Sequence, residues 1–288
     1  MFSGSMVAIV TPFKRGKIDK ETLSRLVEFQ IGNGTKGIVP CGTTGESATM
    51  SHEEHHRVID IVIEAAAGRV PVIPGTGSNC TDEALNLTRY AKKAGANATL
   101  LITPYYIKPT QDGLYRHYKQ IADEVDIPQI LYNVPSRTGV SILPATVARL
   151  AKHPNIVALK DATGSLDYAS EVRSLCDITI LSGNDSHNLP LLAIGAKGSI
   201  SVAANVVPKL ASEMIDSFLA GDTKTAEEIH KKIFPLVKSL FIETNPIPVK
   251  GALEMMGKIS GEIRMPLTPL SEKVRPILRE ELERLGLI

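Results

Sequence analysis

The sequence of 288 residues predicts a (β/α)8 barrel, the α/β fold of the TIM type. Eight short apolar runs alternate with amphipathic stretches over little more than the first 200 residues. Loops rich in Gly, Pro, Thr and Asn follow the runs, as at the carboxyl-terminal face of a barrel. A doubly wound sheet is the alternative, but no glycine-rich dinucleotide fingerprint follows any run.

The predicted strands are short and apolar, as parallel strands buried on both faces should be. In chain order they are Met6–Val10, Gly37–Pro40, Val70–Ile73, Ala98–Ile102, Gln129–Tyr132, Ile156–Leu159, Ile178–Leu181 and Ser199–Val202.

The helices between them carry start signals. Asp19 is predicted to cap the first helix, and Ser51 with Glu54 forms a capping box for the second. Thr81 is predicted to cap the third, and Pro208 opens the last helix of the barrel.

After residue 222 the alternation stops, and three helices follow without strands: Thr223–Ile242, Pro246–Met256 and Ser271–Leu285. We therefore divide the chain into a catalytic barrel, residues 1–222, and a C-terminal helical subdomain, residues 223–288. No motif in the subdomain can be connected with chemistry.

Composition narrows the class of protein. The net charge is +1 and no basic run is present, so nucleic acid and membrane surfaces are not expected partners. Cys41, Cys80 and Cys176 lie far apart and form no disulfide framework or zinc knuckle. No signal peptide or membrane-spanning run is recognisable, so we expect a cytoplasmic protein.

Lys160 ends the sixth predicted strand, at the barrel face where active sites form. Burial among apolar neighbours lowers a lysine pKa from about 10.4 towards neutrality. The neutral amine can then condense with a carbonyl to form a Schiff base. For this stretch alone, a lysine that extends into solvent is the alternative.

Two further loops carry polar groups at the same face. In residues 42–47, small residues leave backbone N–H groups and two hydroxyls free to bind an anion, unless this is an ordinary tight turn. Tyr132 can point its hydroxyl into the barrel mouth, and Arg137 can hold a carboxylate with two parallel donors. A solvated loop arginine is the alternative for Arg137.

Small polar residues at 182–185 and 198–201 are suited to line a pocket, and we expect Gly183 and Ile200 to contact substrate there. No phosphate-binding glycine loop follows these strands, which favours a small carboxylate as substrate.

Residues 52–56 match the H-E-x-x-H pattern of zinc hydrolases. The match begins in the capped first turn of a helix, and no third ligand follows at a suitable spacing. We therefore expect no metal site.

Three segments, Gly42–Glu46, Tyr132–Gly139 and Leu159–Gly164, occur in this order together with the tail Asn245–Lys250. In these segments the chain resembles the dihydrodipicolinate synthase family of the pyruvate-dependent class I aldolase (N-acetylneuraminate lyase) superfamily. The lysine and tyrosine motifs specify the superfamily, and Arg137 with the following Thr-Gly narrows it to the family.

The resemblance implies a lyase that condenses pyruvate with L-aspartate 4-semialdehyde to 4-hydroxy-tetrahydrodipicolinate. This is the first committed step of lysine biosynthesis through diaminopimelate, and it needs no cofactor or metal. By the same resemblance, Lys160 forms the Schiff base with pyruvate. The backbone of Thr43 and Thr44 holds the pyruvate carboxylate, and Arg137 holds that of the semialdehyde.

The resemblance also implies a proton relay in which Tyr132 is linked through Thr43 to Tyr106 of a neighbouring subunit of a homotetramer, a dimer of dimers. It implies an inhibitory L-lysine site at a subunit interface. The matching positions are Ser47, Ala48, His52, His55, Asn79, Glu83 and Tyr105.

Two other functions stay open at this point. N-acetylneuraminate lyases and 2-keto-3-deoxy sugar acid aldolases share the lysine and tyrosine, but tend to lack Arg-Thr-Gly in the tyrosine loop. A catalytically silent barrel used for binding is disfavoured because Lys160, Tyr132 and Thr43 are retained together.

Overall fold

A nearly continuous parallel sheet forms the centre of the computed structural model, which describes residues 2–288. Its strands lie in the order β4-β1-β9-β8-β7-β6-β5, and β2 and β3 form a separate hairpin. Met1, the first residue of the predicted barrel, lies outside the described residues. The strands are β1 (Gly4–Ala8), β2 (Phe13–Lys14), β3 (Lys17–Ile18), β4 (Gly37–Val39), β5 (Thr99–Ile102), β6 (Gln129–Asn133), β7 (Ile156–Asp161), β8 (Thr179–Ser182) and β9 (Gly198–Ser201).

Residues 71–75 occupy the eighth position of the barrel, between β4 and β5. Isolated bridges pair Val72 with Ile38 of β4 and Gly75 with Leu100 of β5. The two prolines of this segment have no N–H to donate, which interrupts the ladder and explains why the predicted strand is reduced to bridges. The barrel is closed, and the predicted fold class is confirmed.

Nine helices surround the strands within the described part of the barrel. They are α1 (Lys20–Gly32), α2 (His52–Ala66), α3 (Thr81–Ala94), α4 (Gln111–Glu124), α5 (Pro135–Thr138), α6 (Pro144–Leu150), α7 (Leu166–Leu175), α8 (Asn188–Ala193) and α9 (Pro208–Leu219).

The caps of α1 and α2 are confirmed: Asp19 accepts a hydrogen bond from the Thr22 N–H, and Ser51 with Glu54 forms the capping box. The predicted cap of α3 is wrong by one residue. Cys80 occupies the cap position without a side-chain bond. Thr81 begins the helix, and its hydroxyl lies 2.9 Å from the His117 ring instead.

The C-terminal helices are α10 (Thr223–Ser239), α11 (Ile247–Met255) and α12 (Arg275–Arg284). The last starts later than predicted, because the Ser271 carbonyl accepts the Val274 and Arg275 N–H groups in a preceding turn. One buried apolar cluster includes Leu236, Leu253 and Leu278 from these helices together with β1 and α2 residues. The helices therefore pack directly on the barrel, and the division at residue 222 stays a prediction.

The barrel interior is filled by apolar side chains, among them Met6, Val39, Leu100, Ile130, Ala158, Leu181 and Ile200. At the carboxyl-terminal end of β6 and β7 this filling gives way to Tyr132 and Lys160, both buried. Among the described residues, no helix combines the length and apolarity that crossing a membrane requires.

Candidate active site

Lys160 and Tyr132 lie side by side at the ends of neighbouring strands. The parallel register of β6 and β7 pairs them, and the Lys160 Nζ lies 4.2 Å from the centroid of the Tyr132 ring. On the other side, a Cβ at Gly183 would lie only 3.0 Å from the Lys160 Cε. The glycine therefore leaves the room that the lysine occupies, which places the predicted Gly183 at the site.

The charge on Lys160 is set by burial and two neighbouring charges. Burial lowers the pKa of its amine to about 8, the nearby Asp185 carboxylate opposes this change, and the Arg137 cation adds to it. A substantial fraction of the amine is therefore neutral near pH 8, which is the form that attacks a carbonyl. The predicted lowering of the pKa is confirmed.

Sequence reasoning did not single out Asp185, although the residue lies in the polar stretch 182–185. Its buried carboxylate accepts hydrogen bonds from the N–H groups of Val202 (2.9 Å) and Ala203 (2.8 Å), just beyond β9. Asn188 donates to its other oxygen at 3.3 Å. These bonds fix the position of the carboxylate near Lys160.

Tyr132 is 7% exposed and shares a cavity wall with Thr43 and Arg137. Burial raises the pKa of its hydroxyl, whereas the Arg137 charge and the Thr43 hydroxyl lower it. The structure thus brings three of the predicted catalytic and binding residues together with Lys160.

Asn245, which precedes α11, contacts two of the predicted substrate-binding residues. Its Nδ2 donates to the Thr44 Oγ1 at 3.0 Å, and its backbone oxygen accepts from the Arg137 Nη2 at 3.3 Å. The subdomain, in which the sequence shows no motif connected with chemistry, therefore contacts the candidate site at this residue. The segment Asn245–Lys250 contributes to the family resemblance, but no local pattern indicates these contacts, because the partners of Asn245 lie more than a hundred residues away.

A buried ion pair links the loop after β4 to α11. The Lys250 Nζ lies 2.5 Å from the Glu46 Oε1 and donates to the Thr11 carbonyl at 3.1 Å, while the other Glu46 oxygen accepts from the Arg264 N–H. Both paired side chains are at most 1% exposed. Glu46 also adopts a left-handed conformation with φ of 54°, so the pair holds a turn that is intrinsically unfavourable.

One cavity of about 560 Å³ contains both groups of predicted residues. The catalytic group contributes Thr43, Tyr132 and Arg137, next to Asn245. The group predicted for L-lysine contributes Ser47, Ala48, His52, His55, Glu83 and Tyr105.

Several predicted residues do not form the wall of this cavity. Lys160, Thr44 and Ile200 are buried, whereas Gly183 and Asn79 are partly buried, and none of the five lines the cavity. Tyr106 is 86% exposed in the single chain and has a φ of 71°.

The histidines of the H-E-x-x-H match have other partners. The His52 Nε2 lies 2.5 Å from the Glu83 Oε1, and His56 stacks on Tyr90 with ring centroids 3.6 Å apart. A hydrogen bond from Ser78 and the contact with His52 lower the Glu83 pKa, and burial lowers the His55 pKa to about 4. Within residues 2–288, no group of three or more His, Cys, Asp or Glu side chains is placed to hold a metal ion.

Comparison with known proteins places this geometry in a family. Residues 1–285 match the family model described as the dihydrodipicolinate synthetase family. A relative from Thermodesulfovibrio yellowstonii, named 4-hydroxy-tetrahydrodipicolinate synthase, is 58% identical over 290 residues and 100% of both chains.

Solved structures agree over the whole chain. The chloride-inhibited dihydrodipicolinate synthase from Acinetobacter baumannii, complexed with pyruvate, has a TM-score of 0.98 at 50% identity and full coverage of both chains. The enzyme from Cyanidioschyzon merolae with lysine bound has a TM-score of 0.97 at 38% identity, covering 100% of this chain and 99% of that one.

Proposed function

The chain belongs to the dihydrodipicolinate synthetase family, and from that premise we propose that Lys160 forms a Schiff base with pyruvate to start the condensation with L-aspartate 4-semialdehyde. The chain is a lyase, and the product is 4-hydroxy-tetrahydrodipicolinate. One observation carries the residue assignment: the buried Lys160 amine, with its pKa lowered to about 8, lies against the ring of Tyr132, which forms part of the cavity wall.

In the proposed reaction, the neutral Lys160 amine attacks the ketone carbon of pyruvate, and water leaves as the imine forms. The methyl group then loses a proton to give an enamine, which attacks the aldehyde carbon of the second substrate. The amine of that substrate displaces Lys160 and closes the ring. The imine itself serves as the electron sink, so these steps need no cofactor.

The surrounding residues position the substrates and move protons. Tyr132 relays protons through Thr43 to Tyr106, which a neighbouring subunit supplies. The backbone of Thr43 and Thr44 holds the pyruvate carboxylate, and Arg137 holds that of the semialdehyde. Gly183 and Ile200 complete the pocket around the pyruvate carbons. The high exposure of Tyr106 supports its intermolecular role, and we propose a cytoplasmic homotetramer, a dimer of dimers.

The test is pyruvate consumption with L-aspartate 4-semialdehyde, N-acetylmannosamine or glyceraldehyde at equal concentration. We expect a preference for the semialdehyde that Arg137→Ala abolishes, because the sugar aldehydes have no carboxylate for the guanidinium. Borohydride with pyruvate should add mass at Lys160. A preference for a sugar aldehyde would instead support the lyase alternative.

We also propose that the end of the cavity around His52 and Glu83 binds L-lysine. The lowered pKa of Glu83 keeps its carboxylate ionised and able to pair with an ammonium group. The other proposed contacts are Ser47, Ala48, His55, Asn79 and Tyr105.

Millimolar L-lysine should therefore inhibit turnover, and Glu83→Gln should weaken that inhibition. Glu53→Gln is the matched control, because Glu53 is an exposed carboxylate in the first turn of α2, next to His52, but is absent from the cavity wall. Inhibition that is absent in the parent enzyme, or equal in both variants, would remove this assignment.

A further inference from the structure

We propose that Asn245 is a specificity residue whose side-chain oxygen accepts a hydrogen bond from the α-ammonium group of the aldehyde substrate. Arg137 would hold the carboxylate on the same carbon atom. This inference rests on the proposed function and identifies how the site recognises an amino acid aldehyde.

The first observation is position. Asn245 is 6% exposed and forms part of the cavity wall next to Arg137. Its backbone oxygen accepts from the Arg137 Nη2 at 3.3 Å, so the two residues move together. A ligand held by the guanidinium is therefore brought close to Asn245.

The second observation is an unused acceptor. The Nδ2 of Asn245 donates to the Thr44 Oγ1, which fixes the amide plane. The opposite atom, Oδ1, is buried and has no hydrogen-bond partner among residues 2–288. Because an unpaired buried amide oxygen is destabilising, an acceptor in this position indicates a donor on the bound ligand.

The chemistry of the substrate supplies that donor. In an amino acid aldehyde, the ammonium and carboxylate groups are bonded to the same carbon. When Arg137 binds the carboxylate, the ammonium group therefore lies close to the guanidinium and to its neighbour Asn245. An amide oxygen can orient the ammonium through a hydrogen bond. Unlike a carboxylate, it adds no negative charge that would raise the pKa of the amine, which must later lose a proton to close the ring.

The experiment compares L-aspartate 4-semialdehyde with succinate semialdehyde, which has the same skeleton and carboxylate but no amino group. The KM of the first and the competitive inhibition constant of the second are measured for the parent, Asn245→Ala, Arg137→Ala and Thr44→Val. Borohydride trapping of pyruvate on Lys160 is measured in parallel. Absence of trapping in the parent would contradict the proposed function rather than this inference.

We expect Asn245→Ala to raise the KM of the amino substrate by about 10- to 100-fold, the scale of a hydrogen bond to a charged group, with a much smaller change for the analogue. Arg137→Ala should weaken both compounds. Thr44→Val removes the hydroxyl that fixes the amide plane, so we expect it to reduce the discrimination between the two compounds by less than Asn245→Ala does.

Asn245→Asp keeps an oxygen at this position and should restore discrimination between the two compounds. The pyruvate KM reports whether each variant is folded. Parallel losses for both compounds in Asn245→Ala, or discrimination that Asn245→Asp fails to restore, would overturn the proposal and leave Asn245 as a support for Arg137.

Discussion

At the scale of single residues, the reactivity of Lys160 depends on two opposing charges. Asp185 favours the protonated amine and Arg137 disfavours it, while burial sets the overall lowering of the pKa. The strand end thus provides the proposed nucleophile, and residues from two other loops adjust the pH at which its amine becomes neutral.

This balance predicts opposite shifts in pH dependence. The rate of Schiff-base formation with pyruvate should rise through a midpoint near pH 8, as Lys160 loses its proton. Asp185→Asn removes the charge that stabilises the protonated amine and should move the midpoint to lower pH. Arg137→Gln removes a repelling cation and should move it to higher pH. Borohydride trapping at a series of pH values measures both, and shifts in the same direction would contradict this account.

Sequence reasoning found the residues that a local pattern marks. Lys160 and Tyr132 each end an apolar run, and Arg137 follows in the next loop, so barrel topology alone brings them together. Asp185 and Asn245 act through partners that are distant in the chain, such as Thr44 for Asn245. No periodicity or spacing in one sequence encodes such a contact.

At the scale of elements, the loop after β4 and helix α11 depend on each other through Glu46 and Lys250. Removing one partner of a buried pair leaves the other charge without compensation, which costs about 3–5 kcal/mol. The pair therefore holds Thr43 and Thr44 in place from the C-terminal side of the molecule.

Lys250→Met should lower the free energy of unfolding by about 3–5 kcal/mol, and adding Glu46→Gln should recover part of the loss. Lys231→Met is the matched control, because it breaks an exposed ion pair with Glu227 on α10 that solvent screens and that contributes little to stability. Urea unfolding at one fixed protein concentration measures all three variants. Equal destabilisation by the two lysine substitutions would show that the buried pair has no special role.

Two elements that the sequence placed wrongly have different physical causes. Val70–Ile73 was predicted as a strand from its apolar side chains, but Pro71 and the following Pro74 remove donors that a regular ladder needs. Thr81 has a hydroxyl that could cap a helix, but this hydroxyl contacts the His117 ring instead. Apolar pattern predicts which segments are buried, whereas tertiary hydrogen bonds decide where each element begins.

At the scale of the whole molecule, the fold was predictable because strand and helix periods alternate so regularly. The position of the C-terminal helices relative to the site was not predictable, because their contacts with the barrel join apolar residues from distant parts of the chain. The helices close over the barrel face and bring Asn245 to the cavity wall.

Because the two proposed sites share one cavity, a ligand bound at one end can obstruct access to the other end. The proposed effector contacts and Tyr132 border one cavity, and Thr43 and Ser47 belong to the same short loop. A bound effector would narrow that cavity and restrain the loop that carries Thr43, whose hydroxyl is part of the proposed proton relay. Inhibition of this kind would require no rotation of subunits, and it would slow the entry of the larger substrate more than that of pyruvate.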